Sequence, residues 1–243
     1  MKKVLVIVGL CLLVGYLIFA AFFFDNKPSN QICSRFEIIT ANDSVRNVID
    51  LSDIEKLVDS KGLNPYGKQL RDVDTYKIEQ AVLSNQLVKS VEVYVTNKNG
   101  IRAVVTPKTP ILRVMPDNGE SYYIDSDAKI MPLAKNLTVY LPIVTGAVNK
   151  DFAMKQLYGF AVFLRENNFW NAQIEQINVL QNNEIELIPR VGDQKIILGT
   201  LDNYVEKLDK LMTFYQKGLT EAGWNRYAAI NLKYDKQVVC TKR

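Results

Sequence analysis

The stretch VEVYVTNKNGIRAVV, residues 91–105, determines the fold of the first half of the sequence. Apolar residues alternate with other residues on both sides of an Asn99-Gly100 pair, at Val91, Val93, Val95, Ile101, Ala103 and Val105. Alternation at every second residue predicts strands with one buried face. Because Asn-Gly is typical of a tight hairpin turn, we predict a β-hairpin here.

Two short helices are predicted before this hairpin. Ser52-Asp53-Ile54-Glu55 has the spacing of a capping box, which favours a helix start. Asp74 is placed to cap a second helix that runs to about Leu87. A short strand at 36–39 precedes both helices, so residues 35–109 are predicted to form a β-α-α-β-β domain.

A β-rich domain is predicted over residues 110–243. Strands are expected where apolar residues alternate or cluster between turn-forming residues, at 111–115, 122–124, 129–131, 174–180, 185–189, 195–198 and 227–234, with 237–240 prolonging the last. Apolar residues at helical spacing predict two helices, over 151–167 and 201–215. The predicted fold class is therefore α+β.

An uncharged run, VLVIVGLCLLVGYLIFAAFFF, occupies residues 4–24. As a helix this run would be about 31 Å long, against about 30 Å for a bilayer's hydrocarbon core, so one transmembrane helix is predicted. Lys2 and Lys3 favour a cytoplasmic N-terminus, which places the bulk of the chain outside. Residues 1–3 are then a cytoplasmic tail and 25–34 a polar tether. The run is longer than the apolar region of a cleaved signal peptide, and no small-residue cleavage site follows it.

Charge and cysteine content exclude several classes of protein. Lys2 and Lys3 supply two of the 30 basic residues, and the remaining 28 nearly balance 26 acidic residues, which argues against a nucleic-acid surface. Three cysteines are too few for a disulfide-rich scaffold. The sequence leaves open whether Cys33 and Cys240 are paired, and two free thiols are the preferred interpretation.

The sequence offers little for catalysis. It contains no histidine, which removes histidine-based triads and most zinc sites. Asp125 and Asp127 are the best catalytic or cation-binding candidates, because two neighbouring carboxylates can share a proton or a cation. Asp-Ser-Asp between two strands is also ordinary turn chemistry, and that is the favoured interpretation. No catalytic residue, cofactor site or metal site is predicted.

The C-terminal segment is the strongest candidate for function. A final strand over 227–234 is expected to leave main-chain N–H and C=O groups unpaired along one edge of the sheet. A partner strand can add at such an edge. The alternative is a strand that only completes the sheet, with Lys233 and Lys236 preventing aggregation. The residues alone leave both interpretations open.

Seven short segments follow one another along the chain in a recognisable order, namely Val88–Val93, Pro107–Pro110, Tyr123–Ala128, Met131–Leu133, Leu141–Gly146, Ile197–Gly199 and Asn231–Asp235. With the order of the predicted elements, they resemble the bacterial cell-division family FtsQ/DivIB over nearly the whole chain. This resemblance implies that the first domain is a polypeptide-transport-associated (POTRA) domain. Ala128 stands where the family usually has a turn glycine.

The resemblance also implies a function. Members of this family are noncatalytic scaffolds that recruit partners to the division septum at the inner membrane, with a POTRA domain used for localisation and other divisome contacts. Their C-terminal strands bind the bitopic proteins FtsB and FtsL, with strand addition by FtsB. The residues that fall on the matching strand and the neighbouring helix are Tyr234, Asp235, Lys236, Gln237 and Val238, and Leu208 and Leu211.

Two other functions remain open from the sequence. A POTRA-bearing envelope protein acting in polypeptide transport is the first, although no series of lipid-facing alternating strands follows residue 110. A membrane-anchored hydrolase is the second, and it would need a mechanism that uses carboxylates alone.

Overall fold

The computed structural model of the protein describes residues 12–19, 30–41, 48–134, 137, 140–219 and 223–243. Residues 12–19 form helix α1, and their side chains are exposed. The rest of the apolar run predicted to span the membrane, 4–11 and 20–24, lies outside the described residues. Among the described residues, no helix has both the length and the apolar character needed to cross a bilayer.

The chain divides into two compact units. The first comprises the described residues up to Ile39, Leu51–Leu83 and Val91–Val105. The second comprises the described residues of Thr40–Asp50, Ser84–Ser90 and Thr106–Arg243.

The first unit is built around a three-stranded sheet. Its elements in chain order are β1 (Arg35–Thr40), α2 (Leu51–Ser60), a 3₁₀ turn (Leu70–Asp72), α3 (Thr75–Leu83), β2 (Val88–Thr96) and β3 (Gly100–Pro107). The strands lie in the order β1-β3-β2. The β-α-α-β-β order predicted from the sequence is confirmed. Asp74 caps α3 as predicted, because its carboxylate accepts the Lys77 N–H at 3.1 Å, but the helix ends at Leu83 rather than near Leu87.

Alternating side chains form the core of this unit. Ile101, Ala103 and Val105 are at most 1% exposed, as the period-two pattern predicts. Val93 on β2 is also buried, whereas Val95, near the end of that strand, is exposed. The helices contribute Ile54, Val58, Ile78, Ala81 and Val82 to the buried set.

The second unit contains a nine-stranded sheet. Its strands are β4 (Pro110–Pro116), β5 (Tyr122–Asp125), β6 (Ile130–Met131), β7 (Ile143–Gly146), β8 (Ile174–Val179), β9 (Ile185–Pro189), β10 (Lys195–Gly199), β11 (Tyr227–Asn231) and β12 (Val239–Lys242). They lie in the order β12-β11-β10-β9-β8-β7-β4-β5-β6. Strand β7 is parallel to β4 and β8, and β11 is parallel to β10.

Helices bury the apolar side chains of this sheet. They are α4 (Lys150–Phe152), which continues through a π-helical turn (Ala153–Leu157) into α5 (Tyr158–Glu166), then α6 (Asn168–Gln173) and α7 (Tyr204–Phe214), with a second π-helical turn (Tyr215–Leu219). Leu157, Phe160 and Leu164 join Val144 and Ile177 of the strands in one apolar core. The helices predicted over 151–167 and 201–215 are therefore present, although the second begins at Tyr204.

Three elements of this unit differ from the sequence-based prediction. Strand β7 was not predicted, because its four residues are too few to display an alternating pattern. Helix α6 was also missed. It begins where the Asn167 side chain accepts the N–H groups of Phe169 and Trp170, and it buries Trp170. The predicted strand 227–234 is wrong in its second half, since β11 ends at Asn231.

We expect Gly146→Ala to lower the free energy of unfolding by roughly 2–4 kcal/mol. Gly146 ends β7 at φ +91°, and an added Cβ would lie 2.2 Å from the carbonyl oxygen of Val179. Chemical denaturation of the two proteins measures the difference.

Gly159→Ala is the matched control for this substitution. Among the described residues, no atom outside its chain neighbours and the nearby helix backbone lies within 4 Å of the Cβ it would add, and the site is within α5. Alanine should therefore stabilise the helix by up to about 1 kcal/mol. Equal effects of the two substitutions would contradict the steric explanation.

Candidate partner-binding edge

Strand β12 lies at one edge of the nine-stranded sheet and pairs with β11. The pairing is antiparallel, with Ala229 opposite Thr241, Ile230 opposite Cys240 and Asn231 opposite Val239. Within the described part of the chain, no strand pairs with the outer side of β12. This side is a place where another strand can add.

Two hydrogen bonds establish which main-chain groups face outward. Leu232 N–H donates to the Ile197 carbonyl of β10 at 2.9 Å. Because N–H directions alternate along a strand, the N–H groups of Asn231 and Ala229 point the other way, toward β12. The N–H groups of their partners, Val239 and Thr241, point back toward β11. Arg243, two residues after Thr241, fits this alternation, because its N–H also points inward and donates to the Arg226 carbonyl. The main-chain groups of Cys240 and Lys242 therefore point away from the sheet.

The side chains of β12 separate the strand into two faces. Cys240 packs against the apolar core together with Val238. Burial raises the pKa of the Cys240 thiol, so this side chain stays neutral at physiological pH. Val239, 42% exposed, and Thr241 project on the opposite, open face. Cys33 and Cys240 are both free thiols.

Four of the predicted contact residues lie in a turn rather than in a strand. Tyr234, Asp235, Lys236 and Gln237 are all exposed, and they precede the reversal of the chain into β12. Lys236 has φ 58°, in the left-handed region, which an extended strand does not allow. Earlier, the Asn231 side chain accepts Lys233 N–H at 3.0 Å and competes with strand pairing. The prediction that β11 continues through this segment is therefore wrong.

The two predicted residues of α7 lie in the core. Leu208 and Leu211 are 0% exposed and belong to the apolar cluster beneath β10 and β11. Val205 of the same helix is exposed instead. Leu208 and Leu211 thus hold α7 against the sheet close to the candidate edge.

Charged side chains surround the segment that connects β11 to β12. The Lys210 ammonium of α7 donates to the carbonyl oxygens of Leu232 at 3.3 Å and Tyr234 at 2.6 Å. Lys233 forms a close ion pair with Glu184, from the turn between β8 and β9. The hydrogen bond from Lys233 lowers the pKa of the Glu184 carboxyl. Sequence reasoning did not predict these contacts of Lys210 and Glu184, because they join residues that are distant in the chain.

The alternative site at Asp125 and Asp127 has the geometry of a turn. The Asp125 side chain is buried, and one of its oxygens accepts the N–H groups of Asp127 and Lys129, each at 2.9 Å. Asp127 pairs with Lys89 at 2.8 Å, which lowers the pKa of the Asp127 carboxyl. Ala128, at φ 57°, occupies the conformation that a glycine adopts more readily. The predicted turn is confirmed.

The structure combines a β-α-α-β-β domain with a β-rich domain that ends in an edge strand. The sequence model of the FtsQ/DivIB, C-terminal related family matches residues 109–241, and that of the POTRA-like domain matches residues 31–106. A search among curated proteins finds no significant match. Since the first match covers more than half of the 243 residues, the chain belongs to the FtsQ/DivIB family. The family's domains indicate a cell-division scaffold.

The ion pair of Lys233 with Glu184 makes the stability of the connecting segment depend on pH. Because the folded-state pKa of Glu184 is depressed, the pair stabilises the folded state above the ordinary glutamate pKa, and this contribution is lost as pH falls through the depressed value. In Lys233→Met, Glu184 should titrate closer to its ordinary pKa. An NMR titration of the Glu184 carboxyl group in both proteins measures the change.

Lys195→Met provides the control for this titration. Lys195 is 3.1 Å from Glu186 on the neighbouring strand, so its removal changes the net charge equally but spares Glu184. An identical titration midpoint of the Glu184 carboxyl in wild type and Lys233→Met would contradict the conclusion that Lys233 lowers its pKa.

Proposed function

We propose that this protein is a noncatalytic scaffold of the bacterial divisome that binds FtsB/FtsL-type bitopic proteins by strand addition to β12. The observation that carries the proposal is the outer edge of β12, which has no partner strand among the described residues. We further propose that residues 4–24 anchor the chain in the inner membrane with the N-terminus in the cytoplasm. The two units then lie on the outer side of the membrane, at the septum.

The edge has the chemistry that strand addition requires. Cys240 and Lys242 direct main-chain donors and acceptors outward, and each residue can exchange a pair of hydrogen bonds with an antiparallel partner strand. Val239 offers an apolar contact on the open face. Main-chain bonds supply affinity in this mode, whereas alternate side chains select the partner.

The turn beside the edge supplies a second contact surface in this proposal. Tyr234 is 49% exposed and precedes the charged pair Asp235 and Lys236. Tyrosine is enriched at protein interfaces, and polar groups surround the apolar centre of such interfaces. Gln237 and Val238 lead from this surface into β12. Leu208 and Leu211 contribute indirectly, by fixing α7 behind the turn.

The anchor gives the edge its cellular context. A helix over 4–24 would confine the body to the membrane surface, where bitopic partners diffuse in two dimensions. The high local concentration that tethering creates favours binding at an edge of only four residues. A scaffold of this kind needs no reaction of its own. Its function is to hold partners together at the septum.

We expect Lys242→Pro to reduce partner capture at the edge. Proline has no N–H, and the N–H of Lys242 points away from β11, so the substitution removes a bond to an added strand while sparing the sheet. The measurement is photocrosslinking in living cells from a crosslinker placed at Val239. The wild-type chain should capture an FtsB-type protein, and Lys242→Pro should lower the yield on the order of tenfold.

Two variants test the specificity of this effect. Lys242→Ala removes the same charge but keeps the N–H, so its capture yield should remain near that of wild type. A crosslinker at Tyr66, an exposed residue of the first unit, should not capture the same protein. Capture that is insensitive to Lys242→Pro would contradict strand addition.

The cellular role is tested by depletion of the protein. Loss of a division scaffold should produce filamentous cells, whereas loss of a polypeptide-transport protein should produce secretion defects. Deletion of residues 234–243 should cause the same filamentation as depletion. Normal division in that deletion strain would contradict the proposed function.

A further inference from the structure

The ammonium group of Lys210 joins α7 to the segment between β11 and β12. Lys210 Nζ donates to two carbonyl oxygens of this segment, at 3.3 Å to Leu232 and 2.6 Å to Tyr234. Both carbonyls lie beyond the last paired residue of β11, which is Asn231. Hydrogen bonds from a charged donor are stronger than those between neutral groups. Lys210 therefore fixes the chain where it leaves the sheet.

Neighbouring contacts make the same segment rigid from two other directions. Leu232 N–H bonds to β10 through the Ile197 carbonyl. The aliphatic part of Lys233 crosses Gly199, where an added Cβ would lie 2.7 Å from Lys233 Cγ. Gly199 has φ +77°, a conformation that glycine adopts without strain. With the ion pair to Glu184, these contacts leave the turn at 234–237 as the exposed part of the connection.

We infer that Lys210 is a positioning residue for the proposed binding edge. Its ammonium holds the β11–β12 connection and so keeps β12 aligned in the sheet, ready to accept a partner strand. The inference rests on the proposed function for its biological meaning. The alignment itself is a property of the free protein and is measured without any partner.

The physical reason is the cost of ordering the edge. Strand β12 has four residues and pairs on one side, so its own ladder supplies few bonds against the conformational entropy of the C-terminal segment. A partner that must first order β12 loses that free energy from binding, whereas a preorganised edge avoids the loss. Lys210 supplies this preorganisation from a helix anchored in the core.

Hydrogen–deuterium exchange of the full-length chain without partner tests the alignment. In Lys210→Met the amides of Val239 and Thr241, which bond to β11, should exchange about tenfold faster than in wild type. Amides of β8 and β9 in the sheet centre should keep their protection, which separates a local effect from global unfolding. Lys210→Arg keeps a charged donor and should restore most of the protection.

Lys207→Met is the matched control. It removes the same charge from the same helix, but the Lys207 ammonium donates its hydrogen bond to the Thr200 carbonyl at 2.7 Å, before α7 begins. Lys207 acts on Asp235 of the connection through charge attraction rather than through a hydrogen bond. Exchange at Val239 and Thr241 should remain near the wild-type rate in this variant. The alkylation rate of Cys240 is a second readout, since detachment of β12 exposes the thiol, while Cys33, 1% exposed, is the internal reference.

Crosslinking from Val239 in cells then connects alignment with binding. Lys210→Met should lower the yield of the captured partner, and both Lys210→Arg and Lys207→Met should retain it. Unchanged exchange at β12 in Lys210→Met would overturn the inference, and so would faster exchange with undiminished capture. Absence of any capture by the wild-type chain would contradict the proposed function instead, and the exchange data would still decide the role of Lys210.

Discussion

The parallel pairing of β10 with β11 is the constraint on which the C-terminal half of the structure depends. Parallel neighbours cannot be joined by a tight turn, so the chain must cross over between them, and α7 is that crossover. The helix buries Leu208 and Leu211 against the sheet as it crosses. It thereby returns the chain at the outside of β10, which places β11 and then β12 at the edge.

The same crossover brings distant polar groups to the candidate site. Lys210 reaches the β11–β12 connection because α7 passes over the strands that it links. Glu184 reaches Lys233 because the β8–β9 turn lies at the same end of the sheet. Neither contact can be predicted from the residues next to it in the sequence. The segment that leads to the candidate edge is thus held by residues 22 to 49 positions away in the chain.

Local patterns predicted most of the fold, and the failures have physical causes. The hairpin over 91–105 could be predicted because apolar residues recur at every second position on both sides of an Asn-Gly turn. Strand β7 was not, since its four residues lie between parallel neighbours and depend on them. The end of β11 was misjudged because Asn231 and Lys236 redirect the backbone through a side-chain bond and a left-handed conformation, and apolar periodicity reports neither. The candidate edge was expected near Tyr234, and it lies about five residues later, at β12.

The two faces of β12 restrict how any added strand can be aligned. Side chains on the Cys240 side of the sheet meet the apolar core, whereas those on the Val239 side meet solvent. An incoming strand shifted by one residue would exchange its two sets of side chains between these environments. The hydrophobic effect would therefore penalise register errors, so even a four-residue edge would discriminate between added sequences by the phase of their apolar residues.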